Sequence, residues 1–380
     1  MRSSIPKCPV PDRLSRIRAA MREERLDALI INHSANVVYA TGFEGIADAG
    51  NPHVALVTSE TATVYIDSRY YEVASGQAVA TQWEAVLARH EVRAKTIEAL
   101  AEQRTTQKVH RIGIEDTVSY GAFCRWREEL AESIKGGEVV ATRQLVEECR
   151  AIKEADEIAR IATAQRIADE TFAHILGMVK PGVTERAIAF ELEFALRARG
   201  AEAISFPVIV AAGMNGSMAH AMPSDYAIQE GDLVTMDFGA VVDGYHSDMT
   251  RTVCVGRASD RQREVYLTVL AAQEAALKRL KAGVACADID SAARAVIEAA
   301  GYGEFFGHGT GHGVGLAIHE RPNCSPNSED TYDTGMLTTV EPGIYIPGEV
   351  GVRIEDLVLV TETGYHNLTT SPKELVELGV

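Results

Sequence analysis

The chain has 380 residues, 46% of them hydrophobic and 24% charged, an ordinary globular balance with length enough for two domains and a large core. Its formal charge of -17 argues against nucleic acid or an anionic membrane surface as partner, because either would be repelled over most of the protein's field. The opening MRSSIPKCPVPDRLSR has no apolar signal core, and no run reaches the roughly 18 apolar residues of a membrane span, so a cytoplasmic protein is expected. Six scattered cysteines (Cys8, Cys124, Cys149, Cys254, Cys286 and Cys324) form no CxxC pair and read as reduced thiols.

In chain order, RLSRIRAAMREERLDALIIN predicts an amphipathic helix running into a short strand. HVALVTSETATVYIDSRYY predicts two strands joined at Ser59-Glu60, and a small α/β domain ending near residue 145 follows. The segment 151–179 then predicts one long helix with Ile158, Ile161, Ala168, Phe172, Ile175 and Val179 on one face, stopped by Lys180-Pro181-Gly182.

A repeat at an offset of 101 residues aligns 178–200 with 279–301 through Lys180/Lys281, Gly182/Gly283, Val183/Val284, Ile188/Ile289 and Gly200/Gly301. Two amphipathic helices after similar turns would look alike by themselves. Here a Gly-rich passage and apolar strands bearing acidic residues follow each helix, so a duplicated half-domain is expected, with a site between the halves.

Asp243-Gly244 is a strong hairpin signal between MDFGA and HSDMTRT. With these two as central turn residues, Val242 opposes Tyr245 and Gly239 opposes Asp248. Asp237, Gly239 and Asp248 then share a face, the two carboxylates being diagonal neighbours about 7 to 8 Å apart at Cα. Singly, either aspartate would more often be a solvated residue on a polar strand face, but both lie in apolar runs and further ligand types follow. His312 sits in GHGTGHGVGL, whose glycines allow close backbone approach, with His308 and His319 nearby to orient substrate and stabilise charge. Glu341 precedes Pro342-Gly343 at a strand end, and Glu355 alternates with Arg353 in GVRIEDLVLV, predicting an inward-facing pair. Four carboxylates in apolar sequence would repel one another at heavy desolvation cost unless cations neutralised them. Four carboxylates and one imidazole, without thiolate, suit two divalent ions, manganese first, with cobalt or zinc as alternatives.

MDFGA, SDMTRT, GTGHGVGL, VEPGIY and GVRIED, in that order, resemble the five metal-ligand motifs of the pita-bread metallopeptidases. RLSRIRAAMREERLDALIIN, VVYATGF and the terminal TTSPKELVEL resemble the prolidase and Xaa-Pro aminopeptidase branch. The resemblance implies an α+β protein in which a creatinase/prolidase-type α/β domain (1–145) precedes a duplicated pita-bread catalytic domain (146–380). It implies that Asp237 chelates one metal, that Asp248 and Glu355 bridge both, and that His312 and Glu341 complete the other. A metal-bridging water would attack the scissile carbonyl, with Glu341 shuttling its proton to the leaving amine. His220 in AHAMPSD matches the family's substrate histidine, and His319 the residue stabilising the tetrahedral intermediate. His308 and Arg353 match positions near the leaving residue. The expected substrate is a small peptide with proline at its second position, and a homodimer is implied.

Two departures are visible: Ala317 in GLAIHE stands where many prolidases carry an acidic residue, and AAGMNGSMAHAMPSD lacks the leucine-proline pair usual before the histidine. Rival readings are a hydrolase of a non-peptide amide or C–N bond on this scaffold, of the ectoine hydrolase or creatinase kind, and a non-enzymatic pita-bread binding protein. Creatinases lack the full ligand set, and the binding proteins usually lack ligands and carry charged extensions. Here the set is whole and no such extension is present.

Overall fold

Short apolar runs alternating with helix-period segments build the front of the chain. A computed structural model describes residues 12–46, 53–79 and 81–379, and Cys8 lies outside them. Two units divide the chain, residues 1–150 and 151–380. In the first, Asp12 caps α1 (Arg13–Glu23) by accepting the Ser15 N–H at 3.0 Å, and the helix buries Leu14, Ile17 and Met21. β1 (Ala28–Ile31), α2 (Ser34–Thr41), β2 (His53–Thr58) and β3 (Ala62–Ile66) follow. β2 and β3 pair from His53↔Ile66 to Val57↔Ala62 around the expected Ser59-Glu60 turn. α3 (Tyr71–Ala78), β4 (Glu84–Leu87), α4 (Val92–Gln107), β5 (Arg111–Glu115), α5 (Tyr120–Ser133), β6 (Glu138–Thr142) and α6 (Leu145–Ala151) complete a six-stranded sheet of order β4-β3-β2-β1-β5-β6. Its central strand β1 is buried throughout, as a strand covered on both faces must be.

The second unit opens with α7 (Ala155–Ile175). It starts four residues later than the apolar pattern alone predicts, because Glu154 forms a capping box with Glu157, whose side chain accepts the Glu154 N–H at 2.8 Å. The predicted apolar face is buried, with Ile161, Ala168 and Ile175 fully enclosed. Next come α8 (Glu185–Ala198), β7 (Ala203–Ile204), β8 (Ile209–Ala212), a 3₁₀ turn (Gly213–Ser217), β9 (Leu233–Phe238), β10 (Ala240–Val242), β11 (Tyr245–His246), β12 (Met249–Val255) and α9 (Asp260–Arg279). α10 (Cys286–Ala299), a 3₁₀ turn (Gly303–Phe305), β13 (Gly311–Gly313), β14 (Glu320–Cys324), β15 (Leu337–Val340), β16 (Gly343–Ile346), β17 (Val350–Arg353), β18 (Asp356–Val360), β19 (Tyr365–Asn367) and β20 (Glu377–Leu378) follow. The protein is α+β, and no described helix is long and apolar enough to cross a membrane.

The repeat is visible as repeated geometry. α8 and α10 begin at 185 and 286, the offset read from sequence. The residue before each makes an isolated bridge, Thr184↔Ala227 and Ala285↔Thr331. Gly182 N–H donates to Ile228 O at 2.9 Å, and Gly283 N–H to Tyr332 O at 2.8 Å. Each half has its own core: α7 and α8 pack on a sheet of order β20-β12-β9-β8, and α9 and α10 on β15 to β18. Two buried ion pairs tie this unit together. Lys153 meets Glu320, and Arg251 meets Asp356 at 2.8 Å while donating to Ser371 O and Pro372 O.

The hairpin register is the predicted one. Val242↔Tyr245 and Val241↔His246 pair beyond the turn, where Asp243 (φ 48°) and Gly244 (φ 78°) both take the left-handed conformation of a type I′ turn. Phe238↔Met249 and Asp237↔Thr250 pair before it. The ladder changes sheets between these pairs, at Gly239 and Asp248, where β9–β12 gives way to β10–β11. A Cβ on Gly239 would lie 1.9 Å from Ser247 O, so the glycine serves close backbone packing across this break rather than leaving room for ions.

Gly239→Ala should therefore lower the unfolding free energy by about 1 to 3 kcal/mol, read as a lower urea midpoint. Gly177→Ala, whose Cβ would meet only His174 O at an ordinary 3.6 Å, should leave the midpoint nearly unchanged.

Candidate metal centre

The two halves deliver carboxylates from matching places. Asp237 lies near the end of β9 and Glu341 directly after β15; Asp248 directly precedes β12 and Glu355 directly precedes β18. His312 comes from β13, threaded between β14 and β15. The glycine beside it is required there, since a Cβ on Gly311 would lie 2.0 Å from Thr339 O. That close approach is to neighbouring strands.

Asp248, His312 and Glu355 each present a ligand atom within 4.8 Å of the others. His312 Nε2 stands 3.5 Å from Asp248 Oδ2 and 3.3 Å from Glu341 Oε1. Thr339 Oγ1 donates to Glu341 Oε1 at 3.1 Å, and Thr250 Oγ1 to Glu355 Oε2 at 2.8 Å. Two oxygens, Asp237 Oδ1 and Glu355 Oε1, are buried with no hydrogen-bond partner among the described residues. Acceptors deprived of both water and donors are costly, and a cation is what such oxygens lack. The residues present thus fit divalent ions held by oxygen and imidazole.

Titration behaviour follows from this crowding. Burial, with neighbouring carboxylates adding to it, pushes the Asp248 and Glu355 carboxyls well above the usual range. Burial also raises Asp237, against the pull of Arg353. Glu341 goes the other way, to about 2: burial opposes its charge, but the hydrogen bond and charge of His312 outweigh it. His312 is correspondingly raised, burial being more than offset by Glu341.

Arg353, expected on the face of Glu355, is 3% exposed and acts as a hub. Its guanidinium donates to Asp237 Oδ2 at 2.5 Å, Thr250 Oγ1 at 3.0 Å, Tyr345 OH at 2.7 Å and Ala219 O at 3.2 Å. Tyr345 continues the chain, its hydroxyl 3.0 Å from His308 Nε2, while His308 Nδ1 faces Gly309 O at 2.8 Å. The carbonyl requires a proton on Nδ1, so in a neutral ring Nε2 accepts from Tyr345, and burial lowers the His308 pKa. His319 packs edge-on against the His312 ring, centroids 4.4 Å apart, and is itself exposed. His220 is exposed too. Tyr345 and Thr250 escaped the sequence reading. Tyr345 carries a faint signal, lying four residues beyond Glu341 in the same VEPGIY motif; Thr250 lies two residues after Asp248 in SDMTRT and in register with Asp237.

Residues 159–362 match the model of metallopeptidase family M24, and residues 13–152 that of the creatinase/prolidase N-terminal domain. A Bacillus subtilis peptidase, YqhT, is 40% identical over 96% of this chain and 100% of its own length. Among solved structures, an Xaa-Pro dipeptidase from Bacillus anthracis superposes with a TM-score of 0.86 at 40% identity, covering 96% of this chain and 99% of that one. An X-Pro aminopeptidase from Thermotoga maritima gives 0.83 at 34% identity, covering 97% and 100%.

The raised carboxyls set a pH dependence for metal-free protein. A carboxyl whose folded pKa lies above its unfolded value contributes stability below the unfolded value, 3.8 for Asp248 and 4.5 for Glu355, and loses it as pH rises through the folded pKa. With chelator present, the melting temperature should fall as pH rises from about 4.5 toward neutrality. Asp248→Asn should flatten that fall and stabilise the metal-free protein near pH 8 by about 1 to 3 kcal/mol. A melting temperature independent of pH in chelator would contradict the crowding.

Proposed function

The chain belongs to metallopeptidase family M24 and is a metal-dependent peptidase; from that premise we propose that it hydrolyses the Xaa-Pro bond of dipeptides or of peptide N-termini, using two divalent ions. The observation that carries this reading is the convergence of Asp248, His312 and Glu355 beside two orphaned carboxylate oxygens. Two cations held by Asp237, Asp248, His312, Glu341 and Glu355 would neutralise the carboxylates, acidify the attacking water and polarise the scissile carbonyl. Hard oxygen donors without thiolate favour manganese, with cobalt or zinc as alternatives.

The chain's own residues handle positions and protons. Glu341 accepts a proton from the attacking water at its carboxylate and gives it to the proline nitrogen as the C–N bond breaks. Water's oxygen ends in the Xaa carboxyl group with one of its protons, and its other proton ends on the proline nitrogen, so the step balances. His319, against His312, and His220, exposed nearby, donate to the carbonyl oxygen and orient the Xaa residue. Toward the leaving proline, Arg353 acts through Tyr345 to hold His308 as a neutral ring. Arg353 thereby also fixes Asp237 and, through Thr250, Glu355.

Manganese-loaded protein should cleave Ala-Pro, and Glu341→Gln should lower kcat by about 10² to 10⁴ with a smaller change in KM. Cleavage of Ala-Pro alone marks a dipeptidase, and cleavage of Ala-Pro-Ala an aminopeptidase. Failure on both peptides would overturn the substrate reading, and hydrolysis of creatine would put the non-peptide C–N reading in its place. Activity surviving in Asp248→Asn would overturn the metal mechanism.

A further inference from the structure

The duplicated helices α8 and α10 each carry a buried carboxylate that is spent on a loop. Glu185, the first residue of α8, is fully buried. Its Oε1 accepts the Ala212 N–H at 2.7 Å and Asn215 Nδ2 at 2.9 Å. Its Oε2 accepts the Ser224 N–H at 2.9 Å and Ser224 Oγ at 2.6 Å. One side chain thus closes both ends of the segment 212–224, which contains His220. In the other half, Asp290 on α10 is 1% exposed. Its Oδ1 accepts the Thr310 N–H at 3.0 Å and Thr310 Oγ1 at 2.9 Å. Arg294, one turn along, is paired with Asp290 at 2.9 Å and donates to Phe306 O and His308 O, both at 2.9 Å. That pair fixes the segment 306–310, which carries His308 and runs directly into His312.

We infer that Glu185 and the Asp290–Arg294 pair are positioning residues with divided tasks. Glu185 sets the loop that presents His220 to substrate, and Asp290 with Arg294 sets the segment that presents His312 to metal and carries His308. Neither task could be met by a neutral amide. In Glu185→Gln the amide nitrogen would face at least one backbone N–H, and in Asp290→Asn it would face either Thr310 or Arg294, donor against donor. A ligand-orienting partner of this kind typically changes metal affinity about 10 to 100-fold when lost. The Glu185 half rests on the proposed peptidase reading; the Asp290 half rests on the metal site alone.

The test takes manganese affinity by calorimetry, Ala-Pro kinetics and amide hydrogen exchange on the full chain, with urea midpoints as the check on folding. Asp290→Asn should weaken manganese binding about tenfold. Glu185→Gln should leave manganese affinity within about twofold, raise the KM for Ala-Pro about tenfold with a smaller effect on kcat, and speed exchange only in 212–224. Equal losses of metal affinity in both variants, or effects no larger than the unfolded fraction, would overturn the division of tasks. Should either variant fail to fold, Ser224→Ala and Thr310→Val remove the loop side of the same bonds and are read by the same criteria. If wild-type protein does not cleave Ala-Pro, the peptidase reading fails by itself. Exchange confined to 212–224 in Glu185→Gln, with unchanged metal affinity, still supports the positioning role, and unchanged exchange overturns it.

Discussion

Four carboxylates, three of them buried and Glu341 largely so, repel one another, and much of the second unit is arranged around the relief of that repulsion. Arg353 contacts Asp237 directly and Glu355 through Thr250, while His312 pairs with Glu341. Asp248 and Glu355 carry what is left, along with the orphaned oxygen of Asp237. One guanidinium and one imidazole leave the charge incompletely balanced, so the protein is built short of positive charge at its centre. A family of metallopeptidases is where such a deficit becomes useful, because divalent ions can fill it.

The surrounding structure supports this cluster with charge as well as with apolar packing. Arg251 and Asp356 are the sequence neighbours of Thr250 and Glu355, and their buried pair joins β12 to β18 immediately behind the ligands. Gln273, Asn367 and Lys373 fill the remaining valences of Asp356. An ion pair of this kind adds little net stability over apolar packing, but its strict geometry fixes which residues stand opposite each other. Position is the quantity a metal site needs.

Legibility in the sequence divides along the range of the interaction. The hairpin carrying Asp237 and Asp248 could be read because Asp243-Gly244 sets a register locally, and strand period carries it six residues back. The repeat could be read because each copy starts with the same Lys-x-Gly-Val signal. The long helix was read correctly on its buried face but not at its ends: a charged pair at 154 and 157 sets its start, and it stops at Ile175, before Lys180-Pro181-Gly182 is reached. Arg353 was placed facing inward, yet its link to Asp237 joins residues 116 apart, and no pattern in one strand announces its partner in another. Glu185 was invisible for the same reason: at the head of a helix an acidic residue is expected for the dipole alone. The motifs, ordered along the chain, conveyed more of the site than any spacing within them.

The mirrored origin of the ligands also bears on how the chain reaches its final form. Asp237 and Asp248 sit on one hairpin and can be aligned by a turn, whereas Glu355 must come from more than a hundred residues later, after α9, α10 and five further strands have been laid down. No partial assembly of one half holds more than two of the acidic ligands, and such a half has little reason to capture an ion. Loop closure over that distance sets an entropic cost on joining the halves. Ion capture then reports completion, since an ion bound only by the finished arrangement withdraws finished molecules from the folding equilibrium. In this chain the cofactor doubles as a latch on the assembled state.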